Sequence, residues 1–110
     1  MKKIIFGFLA SIITLSFITH AMADDIKIGV ILGFTGPIES LTPTMASSAE
    51  MAMKEASDSG LLLDGATVSS VRADSTCVDA GAAVSAAERL VTSDDVSAIM
   101  GADCSGVTTA

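Results

Sequence analysis

The apolar and polar positions of this chain follow two different periods. Ile26 to Gly33 (IKIGVILG) is an apolar run with one charge, Lys27, near its start, and both of its faces are apolar from Ile28 to Leu32. That is the pattern of a strand covered on both sides. Phe34-Thr35-Gly36-Pro37 breaks the run, and the loop is expected to continue to about Leu41. Thr42-Pro43 supplies an N-cap candidate followed by proline at the first helical position. Met45, Ala49, Ala52, Met53 and Ala56 then recur at helical spacing, with Glu50, Lys54, Glu55 and Asp58 facing away and Gly60 as the stop.

Leu61 to Gly65 reads as a connector. Ala66 to Ala73 is a strand less apolar than the first, and therefore nearer an edge. Asp74 to Val78 is a loop, read as solvated. Asp79 can cap a second helix to about Ser93, with Ala83, Val84, Ala87, Leu90 and Val91 on its buried side. Asp94-Asp95 turns the chain into Val96–Met100, a short apolar run with the look of a buried strand. Gly101-Ala102-Asp103 turns it again, and Cys104-Ser105-Gly106 opens a third helix.

This β-α-β-α-β pattern is spaced for right-handed parallel crossovers and predicts a Rossmann-like α/β unit. The first strand then lies between the second and third. A crevice opens beyond the C-terminal strand ends, where successive helices take opposite faces. The loops Phe34–Leu41 and Ala102–Gly106 meet there. A strand that feeds a helix through a tight turn aims free N–H groups and the Ser105 hydroxyl at one point, which suits a small anionic group such as an amino acid carboxylate.

Processing changes the picture of the N-terminus. Lys2 and Lys3, the apolar run Ile4 to Ile18 and Ala21-Met22-Ala23 have the anatomy of a secretory signal peptide. The run is shorter than the roughly 18–20 residues of a spanning helix, so cleavage after Ala23 is expected and residues 24–110 form the mature part. That part keeps all 13 acidic side chains against four basic ones (Lys27, Lys54, Arg72 and Arg89), a formal net charge of −9. Nucleic acid and anionic lipid are unsuitable partners for so acidic a chain. No helix stop follows Ser105, so the sequence is expected to be the opening piece of a longer protein.

Candidate chemistry is sparse. His20 lies in the signal segment, and without histidine neither Ser-His-Asp nor Cys-His catalysis can be assembled from the mature residues. Metal-ligand spacing is missing too, and the helical methionines read as core. Gly29, Gly33 and Gly36 make neither a dinucleotide fingerprint nor a P-loop; they read as packing and turn residues. Cys77 and Cys104 both sit just past a strand's C-terminal end, 27 positions apart. In an exported protein such a pair reads as a disulfide, the alternative being a reactive thiol, which needs a basic neighbour.

Ile26-Lys27-Ile28-Gly29-Val30 with Thr35-Gly36-Pro37, the Asp74–Cys77 loop, and Met100-Gly101 through Cys104-Ser105-Gly106 to Thr108 form an ordered set. Together they resemble the branched-chain amino acid binding proteins of bacterial ABC importers, over Asp24 to Ala110. The resemblance implies a type I periplasmic binding fold, of which this chain supplies the start of the first of two lobes. It implies a Cys77–Cys104 disulfide and a Ser105 that binds the ligand's α-carboxylate. Leu41 stands where the family commonly carries an aromatic. The family's Cys-Asp-Pro becomes Cys77-Val78-Asp79, one residue longer.

The expectation is therefore an exported, monomeric solute-binding protein without cofactor, metal or catalytic residue. It would deliver an aliphatic amino acid in the periplasm to the membrane permease of an ABC importer. Ser105 and Gly106 are expected to contact the ligand, with Asp103 and Leu41 lining the pocket. The alternatives are a sensor ectodomain or amide- or urea-binding relative on the same fold, and an exported enzyme with its catalytic groups downstream.

Overall fold

The computed structural model describes residues 25–110, so the apolar leader and the expected cleavage after Ala23 lie outside the described residues. The elements run in the order β1 (Asp25–Leu32), α1 (Thr42–Asp58), β2 (Thr67–Asp74), α2 (Ala80–Thr92), β3 (Ala98–Met100) and α3 (Ser105–Thr108). The sheet order is β2-β1-β3. Both pairings are parallel, with Asp25–Leu32 against Thr67–Asp74 and Ile28–Val30 against Ala98–Met100. The α/β class, the parallel sheet and the central place of the first strand agree with the sequence reading.

Residues of β1 alternate between two cores, as the two-residue period of a strand requires. Val30 and Leu32 pack with Ala46 of α1, joined by Phe34 and Met53. Ile31 points the other way, to Ala73 and Leu90, with Val71, Ala86, Ala87 and Val96 beside them. Helices α1 and α2 thus cover opposite faces, the arrangement that in open α/β sheets favours a ligand site beyond the C-terminal strand ends. Gly29 lets α2 approach: a Cβ there would lie 2.8 Å from Leu90 Cδ1.

Four packing expectations are corrected. Helix α1 seats on Thr42 and Ala46 with Met53, while Met45 and Ala52 are exposed. Glu50, expected to face away, turns to the sheet because Arg72 of β2 holds it in a bidentate pair, Nε–Oε1 and Nη2–Oε2 both at 2.7 Å. On α2, Ala83 and Leu90 are buried but Val84 and Val91 lie on an open flank. Strand β3 begins at Ala98 rather than Val96, and all three of its residues are exposed, β3 being an edge strand of the sheet.

The helix starts differ in their capping. Asp79 caps α2 as expected, its Oδ1 accepting the Ala82 N–H at 3.0 Å. Leu41, not Thr42, occupies the cap position of α1, and the Thr42 hydroxyl instead donates to the Gly33 carbonyl at 3.1 Å. No helix among the described residues is long and apolar enough to cross a membrane.

Candidate functional site: the C-terminal rim of the sheet

Three loops leave the C-terminal ends of β1, β2 and β3, and each pair of them is tied together. Cys77 and Cys104 form a disulfide between the second and third loops, with Cα atoms 5.2 Å apart. Asp74, at the end of β2, accepts the Thr35 hydroxyl at 2.6 Å and the Thr35 N–H at 3.2 Å, tying the second loop to the first. Asp103 Oδ2 accepts the Gly33 N–H at 2.9 Å, tying the third loop to the first. The disulfide pairing thus stands as the resemblance implied.

The second loop is strained and correspondingly braced. Thr76 and Cys77 both take positive φ, 58° and 69°, a region unfavourable for side chains of this kind. Asp74 Oδ1 accepts the Thr76 N–H at 2.8 Å, and Thr76 Oγ1 accepts the Asp79 N–H at 3.1 Å. Gly36 passes so close that a Cβ would lie 2.5 Å from the Thr76 carbonyl oxygen, and its own φ is +96°. Only glycine serves there.

Asp74 corrects the reading of its loop as merely solvated. Burial pushes its carboxyl up. The hydrogen bonds from the Thr35 hydroxyl and from the Thr76 and Thr35 N–H groups outweigh that and hold it below the ordinary carboxylate range. The sequence carried one usable signal for this, an Asx-turn composition in Asp74-Ser75-Thr76. Nothing local pointed to Thr35 as the partner.

Ser105 is the first residue of α3, exposed, and Cys104 rather than Ser105 holds the cap position. The Ser105 hydroxyl makes no hydrogen bond among the described residues, so it is not spent on capping. The first intrahelical N–H donor of α3 is Val107, to Cys104 at 3.2 Å, which leaves the N–H groups of Ser105 and Gly106 unpaired among the described residues. Leu41, at the mouth of the first loop, is 60% exposed. Asp103 differs from the other three candidates, because its side chain turns inward to Gly33 rather than outward.

A concavity borders the third loop. It is an apolar groove of about 300 Å³ between α2, β3 and α3, lined by Ile31, Val84, Ala87, Ile99 and Val107 among others. Its charged lining residue is Glu88, and none of Ser105, Gly106, Leu41 or Asp103 borders it. Thr108 also lines it, with its hydroxyl already donating to the Cys104 carbonyl at 2.9 Å. Among the described residues no group of three His, Cys, Asp or Glu side chains stands where it could hold a metal.

Residues 25–110 match the family model described as periplasmic binding protein. No curated protein matches the chain.

Proposed function

The chain belongs to the periplasmic binding protein family, and from that premise we propose that it is the start of the first lobe of an amino acid binding protein serving an ABC importer. The family implies solute binding outside the cytoplasm and is typically non-enzymatic. The finer reading is that the solute is an aliphatic amino acid, delivered in the periplasm to a membrane permease. Residues 24–110 would then contribute one wall of the cleft.

The observation that carries this reading is the state of Ser105. Its hydroxyl is exposed and free of capping duty, and the N–H groups of Ser105 and Gly106 stand beside it without partners among the described residues. A hydroxyl and two unpaired N–H groups on consecutive residues suit the oxygens of a carboxylate, and hydrogen bonds to a charged acceptor are the stronger kind. Leu41 would supply apolar wall where the ligand's side chain lies. Asp103 serves the site from behind rather than as a lining residue.

A thermal-shift series on the full exported protein tests the proposal, since a ligand that binds only the native state raises its stability. L-leucine, L-isoleucine or L-valine should raise the melting temperature, and leucinol, which lacks the carboxylate, should not. No shift with any amino acid overturns the reading. A shift with acetamide or urea instead moves the protein to the amide-binding alternative, and consumption of the ligand moves it to the enzymes.

A further inference from the structure

Gly33 sits where the three loops converge. Its N–H donates to Asp103 Oδ2 at 2.9 Å and its carbonyl accepts the Thr42 hydroxyl at 3.1 Å. A Cβ at this position would lie 3.0 Å from Cys77 Cβ. One buried residue of the first loop therefore touches the third loop, helix α1 and the disulfide.

Asp103 is the third loop's contribution to that junction. Oδ2 is engaged with Gly33, while Oδ1 is buried and has no hydrogen-bond partner among the described residues. A buried carboxylate oxygen without a donor is costly, so Asp103 is a poor choice for packing alone. What it contributes is a charge-assisted bond to a backbone N–H, stronger and more directional than a neutral one. The disulfide does not make that bond redundant. It links the third loop to the second and leaves the chain free to pivot about the bridge. Asp103 and Cys104 together hold two consecutive residues, and the next residue is Ser105.

We propose that Asp103 is a positioning residue: by holding the Gly33 N–H it sets the direction in which the chain enters α3, and so places the Ser105 hydroxyl, without touching the ligand itself. This rests on the reading of Ser105 as a ligand contact. The dependence runs one way, because the loop geometry is measurable without any ligand.

Amide hydrogen exchange and calorimetric titration with L-leucine are compared for the full exported protein and for Asp103→Ala, Asp103→Asn and Ser105→Ala. Asparagine still presents a carbonyl oxygen to the Gly33 N–H, whereas alanine presents nothing. In Asp103→Ala, exchange at Gly33 and at the hydrogen-bonded N–H groups of Val107 and Thr108 should rise about tenfold, with the α1 interior and β2 unchanged. The Kd for L-leucine should rise about tenfold, the weight of one charge-assisted bond. Asp103→Asn should return both to within about threefold of the parent. Overturning results are an Asp103→Ala protein that exchanges like the parent, loosening spread evenly over the lobe, or local loosening with unchanged L-leucine affinity where Ser105→Ala loses it. If Asp103→Ala does not fold, Asp103→Glu decides. Its carboxylate is displaced by one methylene, so weakened L-leucine binding supports the proposal and parental affinity overturns it. If the parent protein binds no amino acid, the amino acid reading has failed, and the exchange pattern alone supports or overturns the role of Asp103.

Discussion

Thr35 gives both of its polar hydrogens to a single carboxylate 39 positions away: its hydroxyl lies 2.6 Å from Asp74 Oδ2 and its N–H 3.2 Å from Asp74 Oδ1. The Thr76 N–H joins them at 2.8 Å. An ionised Asp74 is therefore part of the folded rim, and its carboxyl is held below the ordinary range. A group lowered in this way stabilises the fold fully above its unfolded value of about 3.9, and that contribution is lost as pH falls through the lower, folded value. The urea midpoint should be flat near neutrality and decline below about pH 4. Asp74→Asn should be less stable than the parent at pH 7 and converge with it in acid. Some acid slope should persist in the variant, because Arg72 also lowers the Glu50 carboxyl. Parallel curves for parent and variant would remove Asp74 from this role.

Gly36→Ala places a methyl 2.5 Å from a backbone oxygen that cannot rotate away, at a φ of +96°. Strain of this kind costs about 1–3 kcal/mol before the clash is relieved. The substitution should lower unfolding free energy by at least about 2 kcal/mol in urea denaturation. Gly60→Ala, where a Cβ meets nothing within 4 Å, should cost less despite its own positive φ.

Ser105→Ala removes a hydroxyl that no protein group uses among the described residues. Stability should therefore stay within about 0.5 kcal/mol of the parent, as for an exposed substitution without partners. Affinity for L-leucine should fall by about 1.5–3 kcal/mol, the range for a hydrogen bond to a charged group. Calorimetry at matched pH reads both the loss and any compensation in enthalpy.

The Cys77–Cys104 bridge closes a loop with a sequence separation of 27. On the chain-entropy account such a closure stabilises by about 3.5 kcal/mol, a figure that depends on that account. The double variant Cys77→Ala/Cys104→Ala should unfold at correspondingly lower urea, and added reductant should change the parent but not the variant. L-leucine affinity should fall as well, since the bridge anchors the residue preceding Ser105.

Leu90 is fully buried against β1, and Val91 beside it is 57% exposed. Leu90→Ala should cost about 2–5 kcal/mol. Val91→Ala should change stability by no more than about 0.5 kcal/mol. Comparable losses at the two sites would mean that the open flank of α2 is covered in the native protein.

Much of the scaffold was legible beforehand. Ile28 to Leu32 is apolar on both faces and became the central strand, and Asp79 capped α2 through a bond that spans only three residues. The helix faces were less legible. The spacing of Met45 and Ala52 fitted an apolar stripe as well as Ala46 and Met53 did, and the pattern gave no reason to turn Glu50 inward. That choice came from Arg72 on a different element.

The order of strands and helices, their parallel sense and the rim on which the loops gather follow from the chain alone, because side-chain period, turn residues and crossover handedness act over short stretches. Which carboxylate meets which N–H was decided only in three dimensions. Asp74 reaches Thr35 across 39 positions and Asp103 reaches Gly33 across 70. Partners so far apart are selected by strand register and by how closely two helices seat on opposite faces of one sheet, and neither distance is written in any local run of residues.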